Sequence, residues 1–195
     1  MSLNVNKKPQ ITEGRIIDEA IALLGETSSL SGVKMRVLAD RLGIKAASLY
    51  WHFPNKAALE SAMSERLFMQ ALERVPEADN WQDWLRGVGR AVWDNLIEYP
   101  ESGLLIMSAD LSKDQFSRTI NAVKSRLSKF DIDQDRAFQL HSGIQALIIG
   151  WATFAHSPYT HQLGTVIDIR EAALETVDAM IKGWATRMKS QTVEP

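Results

Sequence analysis

One glycine does most to limit what this chain can become. In the stretch from Met35 to Lys56, MRVLADRLGIKAASLYWHFPNK, Leu38, Ala39 and Leu42 repeat at helical spacing and Gly43 follows at once. A glycine at that place takes the left-handed conformation that ends a helix without strain. A second short helix, from about Lys45 to His52, then turns Leu49 inward, with Phe53 one turn on. Ala39 is small enough to let that helix cross closely. At about 100° per residue, Ala47, Ser48, Tyr50 and Trp51 face away from Leu49. Alanine, serine and two large aromatics make poor solvent surface, so this face is expected to meet a partner. Lys34, Arg36, Arg41, Lys45 and Lys56 surround it, and Asp40 is the one acid in the stretch. Two short helices about a glycine turn, with cationic flanks, have the form of a helix-turn-helix that enters a DNA major groove. A helical hairpin packed into a larger all-α core is the alternative reading.

The string LADRLGIKAASLYWHFPNKAAL resembles the DNA-binding segment of the TetR family of bacterial transcriptional regulators. The run LYWHF-x-NK carries its most specific part. The likeness holds from about Ile11 to Leu67, and beyond it only the order of helices matches. It implies a role for each matching position. Arg36 reaches a base edge or a phosphate, with bidentate contact to guanine as the specific option. Ala47, Ser48 and Tyr50 meet bases, and Tyr50 with Trp51 offers flat apolar surface to thymine methyls or sugars. His52 and Lys56 contact phosphates, Lys56 aided by the N–H groups of the helix that begins there. Lys45, Ala46 and Ala47 sit where members of the family vary most, and Leu49 and Phe53 are structural. With small residues at Ala46 and Ala47, specificity leans on Arg36, methyl contacts and DNA shape. The chain departs from the family at Lys34 and Met35, where a Ser or Thr cap is usual.

Charge supports contact through one end. The formal net charge of −2 gives no overall attraction to nucleic acid, yet up to Gln70 basic residues exceed acidic ones by two. The remainder is therefore net negative by four. The absence of cysteine excludes disulfides and thiolate metal sites and is compatible with a reducing cytoplasm. No apolar run approaches a membrane span, and MSLNVNKKPQ lacks the apolar core of a signal peptide. The expected location is cytoplasmic, with no membrane partner. Lys7 and Lys8 lie in a polar arm, Met1 to Gln10, that either touches the DNA backbone or frays.

Helix signals continue to the end of the chain. Thr12 caps the first helix, with Ile11 and Ile16 spaced as a staple, and Thr27 to Gly32 reads as loop. Asn55 caps a helix from about Lys56 to Arg74, marked by Leu59, Met63 and Leu67 on its inner side. Asn80 opens a helix to Ile97, with Trp84, Val88, Val92 and Leu96 as its stripe. A short apolar helix follows, from about Ser102 to Ala109. Ser112 and Gln115 form a capping box for a helix to about Lys129. Asp133 caps one to about His156, and Asp168 caps the last, to about Met188. Tyr159 to Thr165 reads as loop. Nothing alternates with strand period, so the class is all-α: a helix-turn-helix domain over 11–56, a connecting helix over 57–74, and a helical bundle over 75–195.

Two constellations in the bundle point to partners. Leu174, Val177, Ile181, Trp184 and Met188 follow heptad spacing, and Gly143 and Gly150 lie two turns apart on the preceding helix. These suit either a symmetric homodimer interface, as in TetR-like proteins, or burial inside one subunit. His141, Gln145, Ala152 and His156 lie roughly along one line of the long helix, alongside Phe138 and Ile148, and Trp93, Met107, Phe116 and Ile120 from neighbouring helices are expected, with Trp151, to converge on them. Apolar walls with a few polar groups make a small-molecule pocket, or simply core. That an effector cavity exists in the bundle is implied by the resemblance.

Other chemistry finds little support. His141, His156, His161 and Asp168 are spaced by fifteen, five and seven, which matches no compact metal motif. Asp131, Asp133 and Asp135 lack the glycine and closing glutamate of a calcium loop. No nucleophile elbow, phosphate loop or dinucleotide fingerprint is present, and Gly87-x-Gly89 falls mid-helix. No cofactor or catalysis is expected. The expectation is a homodimeric, ligand-responsive regulator, most simply a repressor released from a palindromic operator by a small molecule. An activator, a ligand-independent regulator, and more remotely a helical enzyme or adaptor are the alternatives.

Overall fold

The computed structural model describes residues 11–191, so the arm with Lys7 and Lys8 lies outside the described residues. Ten helices follow one another in this span, with no strand among the described residues. The chain is all-α, with an N-terminal helix-turn-helix followed by a helical bundle.

Three helices build the head. α1 (Glu13–Thr27) starts where the Thr12 side chain accepts a hydrogen bond from the Arg15 N–H at 3.3 Å. α2 (Met35–Leu42) begins at Lys34 with no side-chain cap, as the departure from the family pattern suggests. Gly43 ends it at φ 64°, and its N–H and that of Ile44 return to Asp40 O and Ala39 O at 3.1 and 3.0 Å. α3 (Ala46–His52) follows after two residues and buries Leu49. Ile16, Ala20, Leu24, Leu38, Leu49 and Phe53 share one apolar core with Leu59, Met63 and Leu67 of α4 (Lys56–Glu73).

The remaining helices make the body. They are α5 (Trp81–Glu98), α6 (Ser102–Ser108), α7 (Lys113–Leu127), α8 (Gln134–Ala155), α9 (Thr160–Leu163) and α10 (Ile169–Gln191). Asn80, Ser112, Asp133 and Asp168 cap their helices, each side-chain oxygen accepting from the third residue on; Ser112 and Gln115 complete the capping box. α5, α8 and α10 pack against one another around Trp84, Leu85, Val88, Leu140, Ile144, Val177 and Ile181. Gly87 and Gly89 let α5 sit close to its neighbours: a Cβ on Gly87 would meet Val75 and Pro76 at 3.2 Å, and one on Gly89 would meet Val177 at 3.2 Å. Arg86 Nε donates to Asp178 Oδ1 at 2.7 Å and ties α5 to α10.

Two expectations need correction. The stretch Tyr159 to Thr165 holds the short helix α9, because the Thr160 hydroxyl lies within 2.9 Å of the carbonyls of Phe154, Ala155 and Ser157, to which it can donate its one proton, and so folds the chain back. Part of the heptad seam of α10, Val177 and Ile181, is engaged within one chain. Val177 and Ile181 are fully buried against α5 and α8, and Leu174, Trp184 and Met188 pack partly on the same core. Gly143 belongs to that crossing too, since a Cβ there would lie 2.5 Å from Met180 Cε. Heptad spacing marks a helix that packs along a neighbour, and here the neighbours are its own. Gly150, by contrast, faces open space.

The turn at Gly43 gives a test. Nothing lies within 4 Å of a Cβ built there, so Gly43→Ala meets no clash and bears only the left-handed backbone. Urea unfolding should show a loss of about 1 kcal/mol with an unchanged m-value.

Candidate functional site

The outer face of α3 is set by what its inner face buries. Leu49 and Phe53 anchor the helix in the head core, which leaves Ala46, Ala47, Ser48, Tyr50 and Trp51 exposed. Tyr50 is 48% exposed and Trp51 81%, an apolar area that a solvated helix has no reason to present. The Trp51 ring stands edge-on to His52 at 4.9 Å. His52 Nδ1 lies 4.0 Å from Glu13 Oε1, which fixes the imidazole between α3 and α1.

The cations around this face divide into two groups. Lys34, Arg36 and Lys45 are exposed and make no ion pair among the described residues. Arg41 is turned away. Its Nε donates to Glu19 at 2.7 Å and its two terminal nitrogens to Glu26, and these hydrogen bonds, Glu26 first, raise its pKa. The Lys56 ammonium is likewise directed inward. It donates to Leu30 O at 2.8 Å and lies 3.2 Å from Glu60 Oε1, so it tethers the loop leading into α2 instead of projecting from the start of α4. Sequence spacing gives a side chain's face but not the carboxylates that another helix brings to it.

A second site lies inside the body, between α4, α5, α6, α7 and α8. An outer chamber of about 360 Å³ is walled by Phe68, Ile106, Phe116, Ile120, Phe138 and Gln145, among others. Phe68, Ile106, His141 and Gln145 of this chamber also line an adjoining recess of about 20 Å³ beside Leu67, Val92 and Asn95. Five expected residues therefore line this space: Phe116, Ile120, Phe138, His141 and Gln145. Four do not. Trp93 is one position beyond Val92, so the helical turn sends it into the packed core. Ile148, one turn past Gln145, is sealed in the same core, where the apolar packing closes the chamber. Met107 follows Ile106 and points outward to a surface groove with Leu104 and His156. Trp151 packs on the core beside Phe154, ring centres 6.2 Å apart. Asn95 was not foreseen, although an asparagine one turn after Val92 on an apolar stripe is a legible signal.

The recess has polar atoms without protein partners. Asn95 is 1% exposed and its Nδ2 is unbonded; His141 is 3% exposed and its Nδ1 is unbonded. The His141 ring sits among Phe68, Trp84 and Phe138 at 6.2 Å from each, and this burial pushes its pKa down to about 4. The imidazole is neutral at pH 7. Among the described residues the one charged group lining the space is Glu65, which accepts both prongs of Arg118 at 2.6 and 2.9 Å. Among the described residues no group of three His, Asp or Glu is placed to hold a metal, and no helix is long and apolar enough to cross a membrane.

The site also touches the head. Leu67 of α4 lines the recess and belongs to the head core. On α6, Ile106 faces the chamber while its neighbour Leu105 is buried in the head core. At the start of α6, Glu101 has φ 62° and accepts from Leu30 N and Ser29 Oγ at 2.6 and 3.1 Å, gripping the α1–α2 loop.

Comparison with known proteins places this geometry. Residues 16–63 match the family described as bacterial regulatory proteins, tetR family. The chain is 38% identical over 86 residues to the tetracycline repressor protein class A from transposon 1721 of Escherichia coli. That match covers 43% of this chain and 39% of the relative, so it spans about two-fifths of that protein's length. Among solved structures, TetR from Acinetobacter baumannii AYE superposes with a TM-score of 0.69 at 24% identity, over 91% of this chain and 98% of that one. BioQ, solved with its natural double-stranded DNA operator, gives 0.58 at 17% identity over 87% and 99%. At these identities the structures show a shared fold.

The buried histidine predicts a pH dependence. The folded state holds His141 at about 4, against 6.5 when unfolded, so the unfolded chain binds the extra proton. The His141 contribution to stability should therefore fall as pH drops from about 6.5 to about 4 and level off below. Chemical denaturation of the wild type and His141→Leu across this range should differ by on the order of 3 kcal/mol in the acid-induced loss.

Proposed function

The chain belongs to the tetR family of bacterial regulatory proteins, and from that premise we propose that it is a ligand-responsive transcriptional repressor that binds a palindromic operator as a homodimer. The observation that carries the DNA reading is the open α3 face. Tyr50 and Trp51 stand exposed beside Ser48, Ala47 and Ala46, flanked by unpaired Arg36 and Lys45. In this reading α3 enters the major groove, where Arg36 and Tyr50 read bases and Trp51 covers sugar or thymine methyl surface. Lys45 neutralises a phosphate and His52 contacts one. Lys56 supports the head by holding the loop at Leu30.

The chain divides functionally into the DNA-binding head over 11–56, the connecting helix over 57–74 and an effector and dimerisation body over 75–195. Two heads about one helical turn apart require a twofold partner. The outer faces of α8 and α10 suit that contact, since Gly150 and Gly183 both face open space and would admit a close helix. Trp184 and Met188 border a groove at one end of the same surface.

A molecule entering the chamber presses on Phe68 and Leu67 of α4 and on Ile106 of α6. Both helices also reach the head core through Leu67 and Leu105. Their displacement would move the two α3 helices out of register with successive grooves. A coupling of about 1–3 kcal/mol is enough for a useful switch.

Fluorescence anisotropy with a duplex selected from random sequence tests the DNA reading. Tyr50→Ala combined with Lys45→Ala should weaken binding about 100-fold while the dimer persists in sedimentation. The log–log salt slope should fall by about one unit per head. Undiminished affinity in this double variant would refute the placement of α3 in the groove.

A further inference from the structure

The chamber says what kind of molecule it takes. Its walls are largely apolar with neutral polar groups among them, Ser64, Thr119, Ser142 and Gln145; its one lining carboxylate is engaged by Arg118, and among the described residues no lysine or arginine lines it. An anion entering this space would lose its hydration with no cation to replace it, next to the Glu65 carboxylate. A cation would have to displace Arg118 from a bidentate pair. Both charged classes are disfavoured, and an uncharged body of modest size fits the outer volume.

The recess then fixes one end of that molecule. At about 20 Å³ it admits a group of one or two heavy atoms. Two of the residues that line it, Asn95 and His141, each carry a buried nitrogen without a protein partner, Nδ2 and Nδ1. A buried donor without a partner is expensive, so a fold retains one where something else completes it. A carbonyl oxygen would accept from Asn95 and from a protonated Nδ1, whereas a hydroxyl would accept from Asn95 and donate to a bare Nδ1.

We infer that the effector is an uncharged, largely apolar molecule carrying a small carbonyl or hydroxyl at the end that enters the recess, where Asn95 and His141 receive it. This deepens the ligand-responsive reading above and rests on it only in calling the molecule an effector. Asn95 and His141 act as specificity-determining residues, with Phe68, Ile106 and Phe138 gripping the body of the ligand.

Three planar probes of matched shape test this: methyl 2-naphthyl ketone, 2-isopropenylnaphthalene and 2-naphthoate. They differ only in whether an oxygen, a methylene or a carboxylate is presented. Calorimetric titration of the full-length protein at pH 7.5 should show the ketone binding about tenfold tighter than the alkene and at least about tenfold tighter than the carboxylate. Asn95→Leu, of similar volume, should erase the preference for ketone over alkene and leave alkene binding unchanged. Its ligand-free melting temperature should be equal to the wild type or about 2–4 °C higher, because an unpaired polar group has been removed. Should that variant fail to fold, His141→Phe and the wild-type ranking still decide the matter.

Naphthoate binding as tightly as the ketone overturns the inference. So do equal affinities for ketone and alkene, no binding of any probe, or a preference that survives Asn95→Leu. Operator release is read in the same samples. Ketone binding with the stated preference but without release leaves the inference standing and refutes ligand response. Release by the carboxylate alone does the reverse.

Discussion

The packing of α4 against two cores at once is the constraint on which the rest of this structure depends. Its first half places Leu59 and Met63 in the head core with α1, and its second half places Phe68 and Leu72 against α5 and α8. Leu67 stands where the two meet. A helix that is the floor of a recognition motif and the wall of a chamber cannot shift for one without shifting for the other. α6 adds a second such element, with Leu105 turned to the head core and Ile106 to the chamber, and Glu101 ties its start to the loop before α2.

Much of this was legible in the residues. The glycine at 43, the caps Thr12, Asn55, Asn80, Asp133 and Asp168, and the Ser112–Gln115 box act through neighbours three residues away, so local sequence determines them. The exposed Tyr50 and Trp51 follow from where Leu49 must go. What stayed hidden depends on distant partners. Heptad spacing on α10 is the same whether the neighbour is α5 or a second copy. Arg41 and Lys56 read as outward cations until Glu26 and Leu30 are brought beside them. Trp93 and Met107 missed the chamber by one residue each, which on a helix is a rotation of about 100°.

The interior chemistry follows a single economy of charge. Surface carboxylates meet guanidinium groups in pairs such as Arg74 with Glu98 and Arg86 with Asp178, and the one acid facing the chamber is paired too. What remains inside is neutral: an imidazole held uncharged by three aromatic rings and an amide on an otherwise apolar stripe. Affinity for a guest in such a place comes from shape and from one or two hydrogen bonds.

The sharing of Leu67 and Leu105 between regions also bears on how the molecule comes apart. The head's hydrophobic centre is completed by Leu105 of the body, so loosening the body withdraws a side chain from the core that carries the recognition helices. Heat, denaturant or a protease would then meet a single cooperative unit across both, and a compound that tightens the interior would protect amide protons far away in α2 and α3 from solvent exchange.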